Sequence, residues 1–220
     1  MGSDAPLLDD STTGMPVIAE NEKVAGEAKA RMAITMFSVV PAVIGASGAY
    51  AIYAFGSYAG KIAVLKDGDL GYLYLAGWLY GRVVGFLNKY PMVAKARVVR
   101  GDSGNLRANM QIYKQIGEKA MPNAIVLETD GDVGAYNRAN RSLQHFVETT
   151  PDFIVALGLA GYVFPKPTLA LTALFGLGRF LHMTGYQKGY GKHAPGFAIA
   201  SLTSEILGGL VLVAAVASFA

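Results

Sequence analysis

With 52% of its 220 residues hydrophobic and only 16% charged, this chain is far more apolar than a soluble domain of its size, and its mean hydropathy is +0.34. It contains no cysteine, which excludes a disulfide scaffold and a thiolate metal site, so any thiol chemistry must take its thiol from a substrate. Three histidines in all argue against a dedicated multi-histidine metal centre. The pI near 9 comes from basic residues set beside apolar runs, a pattern that orients membrane proteins and does not track nucleic-acid phosphates.

Residues 1–31 are polar and hold no apolar stretch of signal-peptide length; 1–20 reads as a disordered tail and 21–31 as a helical lead-in. From Met32 to Gly60 no residue is charged, which exceeds the ~20 residues needed to cross a bilayer. This is the strongest single span, with Pro41 inside it as a kink that membrane helices tolerate. After a polar link over 61–69, a second span covers about Leu70 to Asn88. Its Gly77, Gly81 and Gly85 fall four apart, a smooth strip that lets another backbone approach. Arg82 lies within this span.

Residues 89–136 are a long polar insertion. Asn105 to Glu118 reads as an amphipathic surface helix, while Arg100-Gly-Asp-Ser-Gly and Thr129-Asp-Gly-Asp mark turns. The helix that follows, Arg138 to Pro151, carries Arg141, His145 and Glu148 on one face, with Arg138 a turn earlier. It runs into the apolar stretch Phe153 to Pro165. A further span runs from Thr168 to Tyr186, interrupted by Arg179 and His182, and the last from Phe197 to Ala220, with Glu205 inside it. Glu205 reads as a helix-to-helix tie to Arg82 or Arg179, with a place in a proton path as the alternative. Five spans put the tail, the 89–136 insertion and the basic 187–195 loop on one side, as the positive-inside rule requires.

Gathered near the membrane surface are Arg138, Arg141, His145 and Glu148 on one helix, Arg179, His182 and Tyr186 on the next, and Lys192 and His193 in the loop beyond. This is a mainly cationic pocket with one carboxylate. Arginines take carboxylates as forked hydrogen bonds, and Glu148 suits an amino group, so the pattern fits a small anionic ligand bearing an ammonium.

At these residues the chain resembles the family of membrane-associated proteins in eicosanoid and glutathione metabolism, which includes the microsomal glutathione transferases. The family pattern is Arg, then Asn four residues on, Glu seven on and Pro ten on, followed one helix later by Arg and a Gly-Tyr pair. Arg141, Glu148 and Pro151 keep the first part, with His145 where Asn is usual. Arg179 and Gly185-Tyr186 keep the second part. His182 stands where tyrosine is common, and His193 where the enzymes carry the arginine that activates the glutathione thiol.

The resemblance implies an all-α membrane protein. A MAPEG-like antiparallel four-helix transmembrane bundle (70–220, with the insertion at about 89–136) would follow one extra N-terminal transmembrane helix (32–60) and a polar tail (1–31). It implies a multi-pass protein of the endoplasmic reticulum or an organellar membrane, surrounded by lipid and assembled as a homotrimer or within a larger membrane complex. Glutathione would be the co-substrate, with no metal and no nucleic acid. Arg141, His145, Glu148, Arg179, His182 and Tyr186 would bind it, and His193, with Lys192 as understudy, would stabilise its thiolate. The reaction would be a transfer to a hydrophobic electrophile or the reduction of a lipid hydroperoxide. A cation beside the thiol is needed, and histidine is a cation only when protonated, whereas a guanidinium always is. Those replacements support the alternative expectation, a non-catalytic accessory or scaffold subunit.

Overall fold

A computed structural model describes residue 15 and residues 17–99, 110–116 and 124–220. The tail 1–14, the Arg100-Gly-Asp-Ser-Gly turn, Arg107, Glu118 and Lys119 lie outside the described residues.

The first helix, α1 (Glu20–Phe55), joins the polar lead-in and the first span into one element and stops five residues before Gly60. Pro41 has no N–H, so it cannot bond the carbonyl of Phe37 one turn back. Lys89 of the third helix supplies the missing donor: its Nζ lies 3.0 Å from the Phe37 carbonyl and 3.2 Å from Ser38 Oγ. A link follows with a short helix, α2 (Ala59–Ala63), and a left-handed residue at Asp69. The Asp69 carboxylate accepts a 2.6 Å ion pair from Lys166. Next come α3 (Gly71–Lys89) and the single turn α4 (Pro91–Lys95), whose proline sits at the helix start where its missing N–H costs nothing.

The described part of the insertion corrects the surface-helix reading. Tyr113–Ile116 (β1) and Ala124–Leu127 (β2) pair antiparallel, with Tyr113 opposite Leu127. Ile116, Ile125 and Val126 favour a strand, and Asn137 fixes the hairpin from below. Its amide accepts from Ile112 N–H at 2.9 Å and donates to the carbonyls of Ile112 and Glu128 at 2.7 and 2.8 Å. Gly131, at φ 57°, then turns the chain into α5.

The three remaining helices are α5 (Gly131–Val163), α6 (Pro165–Lys188) and α7 (Ala194–Ala217). Short connections force α5, α6 and α7 to alternate in direction, and the contacts at both bundle ends set α3 parallel to α6. At one end Tyr90 donates to Gln187 at 2.6 Å, and at the other Lys166 meets Asp69. The core is aromatic: Phe153 stacks between Tyr80 (5.0 Å) and Phe175 (3.9 Å), with Phe146, Met183 and Leu207 around them. By length and composition α1, α5 and α7 are able to cross a membrane; α3 and α6 are less apolar. The chain is thus mostly helical and built for a bilayer.

Two expected contacts are absent within the chain. The strip Gly77, Gly81 and Gly85 faces open space. Glu205 is exposed on α7 and pairs with neither Arg82 nor Arg179. Arg82 is exposed on α3 with its guanidinium 5.9 Å from the Trp78 ring, and Arg179 is turned inward toward His145.

Candidate functional site

The site lies at the end of the bundle that carries the 189–193 loop. Its shape depends on how closely α6 and α7 approach. A Cβ on Gly196 would stand 2.6 Å from the Leu181 carbonyl carbon and 2.7 Å from the Gly178 carbonyl oxygen, with His182 N closer still. A Cβ on Gly178 would stand 2.6 Å from Ala200 N. Hydrogens in place of side chains therefore let the two backbones touch, which sets His182 of α6 against His193 and Phe197 at the start of α7. Gly185 similarly admits the Lys192 carbonyl. Gly191, at φ 84°, gives the loop a left-handed step that returns the chain to the bundle.

Around this corner is a cavity of about 180 Å³ lined by Arg141, Ser142, His145, His182, Tyr186, His193 and Phe197. Five of the sequence-predicted residues are among them. His182 stacks on Tyr186 with ring centroids 5.8 Å apart, and His193 stands edge-on to both, 5.5 Å from His182 and 4.8 Å from Tyr186. Arg179 forms the floor. It is buried over the Phe146 ring, and its Nη1 lies 3.2 Å from His145 Nδ1 while Nη2 donates to the Ser142 carbonyl at 3.4 Å. A guanidinium can only donate, so His145 Nδ1 is the acceptor and its ring proton sits on Nε2, facing away from Arg179. Glu148 stands at the rim, where Arg141 Nη1 donates to it at 3.1 Å with both side chains nearly half exposed.

Glu148 and Arg179 do not line the cavity themselves and meet it only through Arg141, His145 and Ser142. Lys192 is exposed and does not line the cavity. Arg138, placed on the same helix face by spacing, turns instead to the Gln187 and Thr129 carbonyls and ties α5 to the end of α6. Two pocket residues escaped the sequence reading. Ser142 Oγ lies 2.9 Å from His182 Nδ1, and Phe197 packs on His145 and His182. Ser142 was findable, since it precedes His145 by one helical turn; Phe197 looked like any apolar residue of the last span.

Two polar atoms in this region are buried without a hydrogen-bond partner in the described structure: Arg179 Nε and His193 Nδ1. Arg179 Nε is a donor, and His193 Nδ1 is a donor or an acceptor according to its tautomer. Unpartnered polar atoms of this kind are uncommon in folded proteins and often mark a place for a ligand. Among the described residues no cluster of three metal-binding side chains occurs.

No curated protein matches the chain. In a comparison with known protein families, residues 93–216 match the MAPEG family. That match covers more than half of the chain, including α5, α6, α7 and every residue of the pocket. With membrane-length helices and a polar pocket at the bundle end, the chain belongs to the MAPEG family.

Proposed function

We propose that this protein is a membrane-bound, glutathione-dependent transferase or peroxidase acting on hydrophobic electrophiles or lipid hydroperoxides. The observation that carries the reading is the meeting of Arg141, His145, His182, Tyr186 and His193 around one cavity, with Arg179 beneath. Family members generally use glutathione, and the donor set suits it. The γ-glutamyl end of that tripeptide carries a carboxylate and an ammonium side by side, which the Arg141–Glu148 pair complements charge for charge. The unpartnered Arg179 Nε–H offers a further hydrogen bond to the peptide, and His193 Nδ1, which donates when the ring is protonated, offers one to its sulfur.

In this reading His193 stands beside the sulfur and, when protonated, stabilises the thiolate. The thiolate forms a carbon–sulfur bond to the electrophile, whose leaving group departs with its electron pair. Tyr186, next to His193, is placed to donate a hydrogen bond to charge that develops there. Pockets that enclose a whole ligand span roughly 300–1,000 Å³. The cavity here is about 180 Å³, so the remaining wall comes from outside this chain, from a neighbouring copy or from lipid. That supports a homotrimer or a membrane complex, with the four-helix unit α3, α5, α6 and α7 as its core and α1 as an added fifth span. An endoplasmic or organellar membrane follows from the family analogy.

The second reading, a non-catalytic accessory subunit, is favoured by His193 replacing a permanent cation. Purified protein in detergent, given glutathione and a chlorodinitrobenzene-type electrophile, separates the two. Turnover that is lost in Arg179→Leu supports the enzyme. Tight glutathione binding without turnover supports the accessory subunit, and the absence of both refutes the glutathione site.

A further inference from the structure

Where α1 leans on the bundle it leaves a cleft that the histidine pocket does not use. The helix packs on α3 and α4, and between it and α6 lies a cavity of about 430 Å³. That is the size of a ligand site, which spans roughly 300–1,000 Å³. It shares no lining residue with the pocket around His182. One wall is α1 itself, so the cleft exists only because the bundle carries this extra helix.

Its walls are apolar. Ile34 of α1, Phe86 of α3, Val93 of α4 and Phe180 of α6 line it, with the Phe86 and Phe180 rings 5.7 Å apart. The two threonines among them spend their hydroxyl protons on their own helices. Thr35 donates to the Arg31 carbonyl at 3.0 Å and Thr184 to the Phe180 carbonyl at 2.9 Å. The rim, by contrast, is cationic. Lys188, the last residue of α6, is exposed and makes no ion pair among the described residues. Arg31 donates Nε and Nη2 to one Glu27 oxygen at 3.1 and 2.6 Å, while Arg97 takes the other oxygen at 3.4 Å. One carboxylate is thus divided between two guanidiniums. Arg138 bonds the Gln187 and Thr129 carbonyls, so it adds a second cation at the end of α6.

Cations above an apolar wall match the profile of a phospholipid. At about 1.5 Å per residue along α6, Phe180 lies about 12 Å below Lys188, far enough to pass from the interfacial layer into hydrocarbon. This end of the bundle carries the basic 187–195 loop, which the positive-inside rule sets at the cytosolic leaflet, where anionic lipids gather. An empty cleft between helices would forfeit dispersion contacts along all its lining atoms, and in a bilayer an acyl chain is at hand to fill it. We infer that an anionic phospholipid stands upright in this cleft, its phosphate between Arg31 and Lys188 and its upper acyl chain against Phe86 and Phe180. A neutral lipophilic molecule leaves Lys188 without a counter-charge, and a peptide such as glutathione sets polar groups against the apolar wall. The bound lipid bridges α1 to α6 through its phosphate.

The test needs no glutathione chemistry, so its outcome is separate from that of the proposed reaction. The full chain is placed in nanodiscs holding equal amounts of phosphatidylglycerol and phosphatidylcholine, and the lipid kept on release is read by native mass spectrometry. One phosphatidylglycerol per chain is expected. A near-surface cation is worth about fivefold in anionic-lipid binding, so Lys188→Gln should weaken retention about fivefold and Lys188→Arg should keep it. Adding Arg31→Gln to Lys188→Gln should bring the loss to about twenty-five-fold. Thr184→Trp leaves both cations in place but fills the cleft, and it should expel the lipid. Lys61→Gln, on α2 at the opposite end, should change nothing. Lys188 is exposed at a helix end, so its replacement leaves the fold intact. Equal retention of the two lipids would overturn the inference. A loss as large in Lys61→Gln would assign the binding to surface charge in general and reject the site. Displacement of the lipid by chlorodinitrobenzene, with Lys188→Gln behaving as the parent, would give the cleft to the electrophile and reject the phospholipid.

Discussion

Replacing Gly196 by alanine tests whether the close approach of α6 and α7 aims the pocket. The new Cβ would sit 2.6 Å from the Leu181 carbonyl carbon, where ordinary contact begins at 3.4 Å, and the nearest atoms all belong to backbone that cannot swing aside. The helices must therefore part by about 0.8 Å or more at this point, an overpacking strain of about 1–3 kcal/mol. His193 and Phe197 flank residue 196, and they move away from His182 by a similar amount. A misplacement of about 1 Å in a site that works by positioning costs on the order of a hundredfold in rate. We expect Gly196→Ala to fold with a lowered melting temperature and to lose about a hundredfold in glutathione conjugation of a lipophilic electrophile. Gly158→Ala is the control: its Cβ meets nothing within 4 Å, and alanine is a better helix former, so rate and stability should match or exceed the parent. Parental activity in Gly196→Ala, with its melting temperature lowered, would show that helix contact does not set the catalytic geometry.

His193→Arg should raise conjugation several-fold at neutral pH and increase the ultraviolet thiolate absorbance on adding glutathione, because a conditional cation becomes a permanent one; an unchanged thiolate signal would count against His193 as the sulfur's neighbour. Lys89→Met removes a charge-assisted hydrogen bond to Phe37, a loss of about 1.5–3 kcal/mol in the docking of α1. Spin labels on α1 and α3 should report a broader separation, and Pro41→Ala in the same background should narrow it again, since residue 41 then donates its own N–H to Phe37. Asn137→Leu leaves the Ile112 N–H and the Glu128 carbonyl without this partner in a buried site, at about 1–3 kcal/mol each, while the Ile112 carbonyl keeps the Glu128 N–H. Proteolysis between residues 110 and 127 should accelerate while the helical signal persists.

The parts of this architecture that depend on spacing were legible. A charge-free stretch long enough for a bilayer announces a helix, and Arg141, His145 and Glu148 share a face because a helix repeats every 3.6 residues. The same periodicity misplaced Arg138. It gives the face but not the neighbour, and the neighbour of Arg138 is the carbonyl at the end of α6. The hairpin was not legible, since four-residue strands carry too little pattern to stand out and are held by one asparagine of the helix that follows. The polar lead-in was legible as helix, but the partners of its charges were not. Glu20, Lys23 and Glu27 share a face, and their purpose appears only once Arg97 and Asp132 are set against them. Glu205 was read as half of a pair within the chain, because sequence shows that a buried charge needs a counter-charge but not on which side of the bundle it points.

The way α1 is fastened keeps it clear of the pocket. Its ties are polar and lie in its first half: Arg97 binds Glu20 at 2.7 Å and Glu27 at 3.4 Å, Lys23 binds Asp132 at 2.8 Å, and Lys89 reaches the carbonyl freed by Pro41 near the middle of the helix. Arg97 also donates to Asp132 at 2.8 Å, and that bond together with Glu20 holds its guanidinium charged well above the ordinary arginine range. None of the α1 side chains within the helix is buried. In water such a helix would have no reason to stay, but in lipid an apolar side chain gains little by exchanging acyl chains for protein, so burial is not the currency of attachment. Polar ties at the bilayer's edge are enough to set its position and tilt. The pocket draws its residues from α5, α6, α7 and the loop between the last two, and no residue of α1 lines it. The Lys23–Asp132 bond meets α5 at its first turn, away from the pocket-lining stretch that begins at Arg141, so α1 is anchored without entering the pocket.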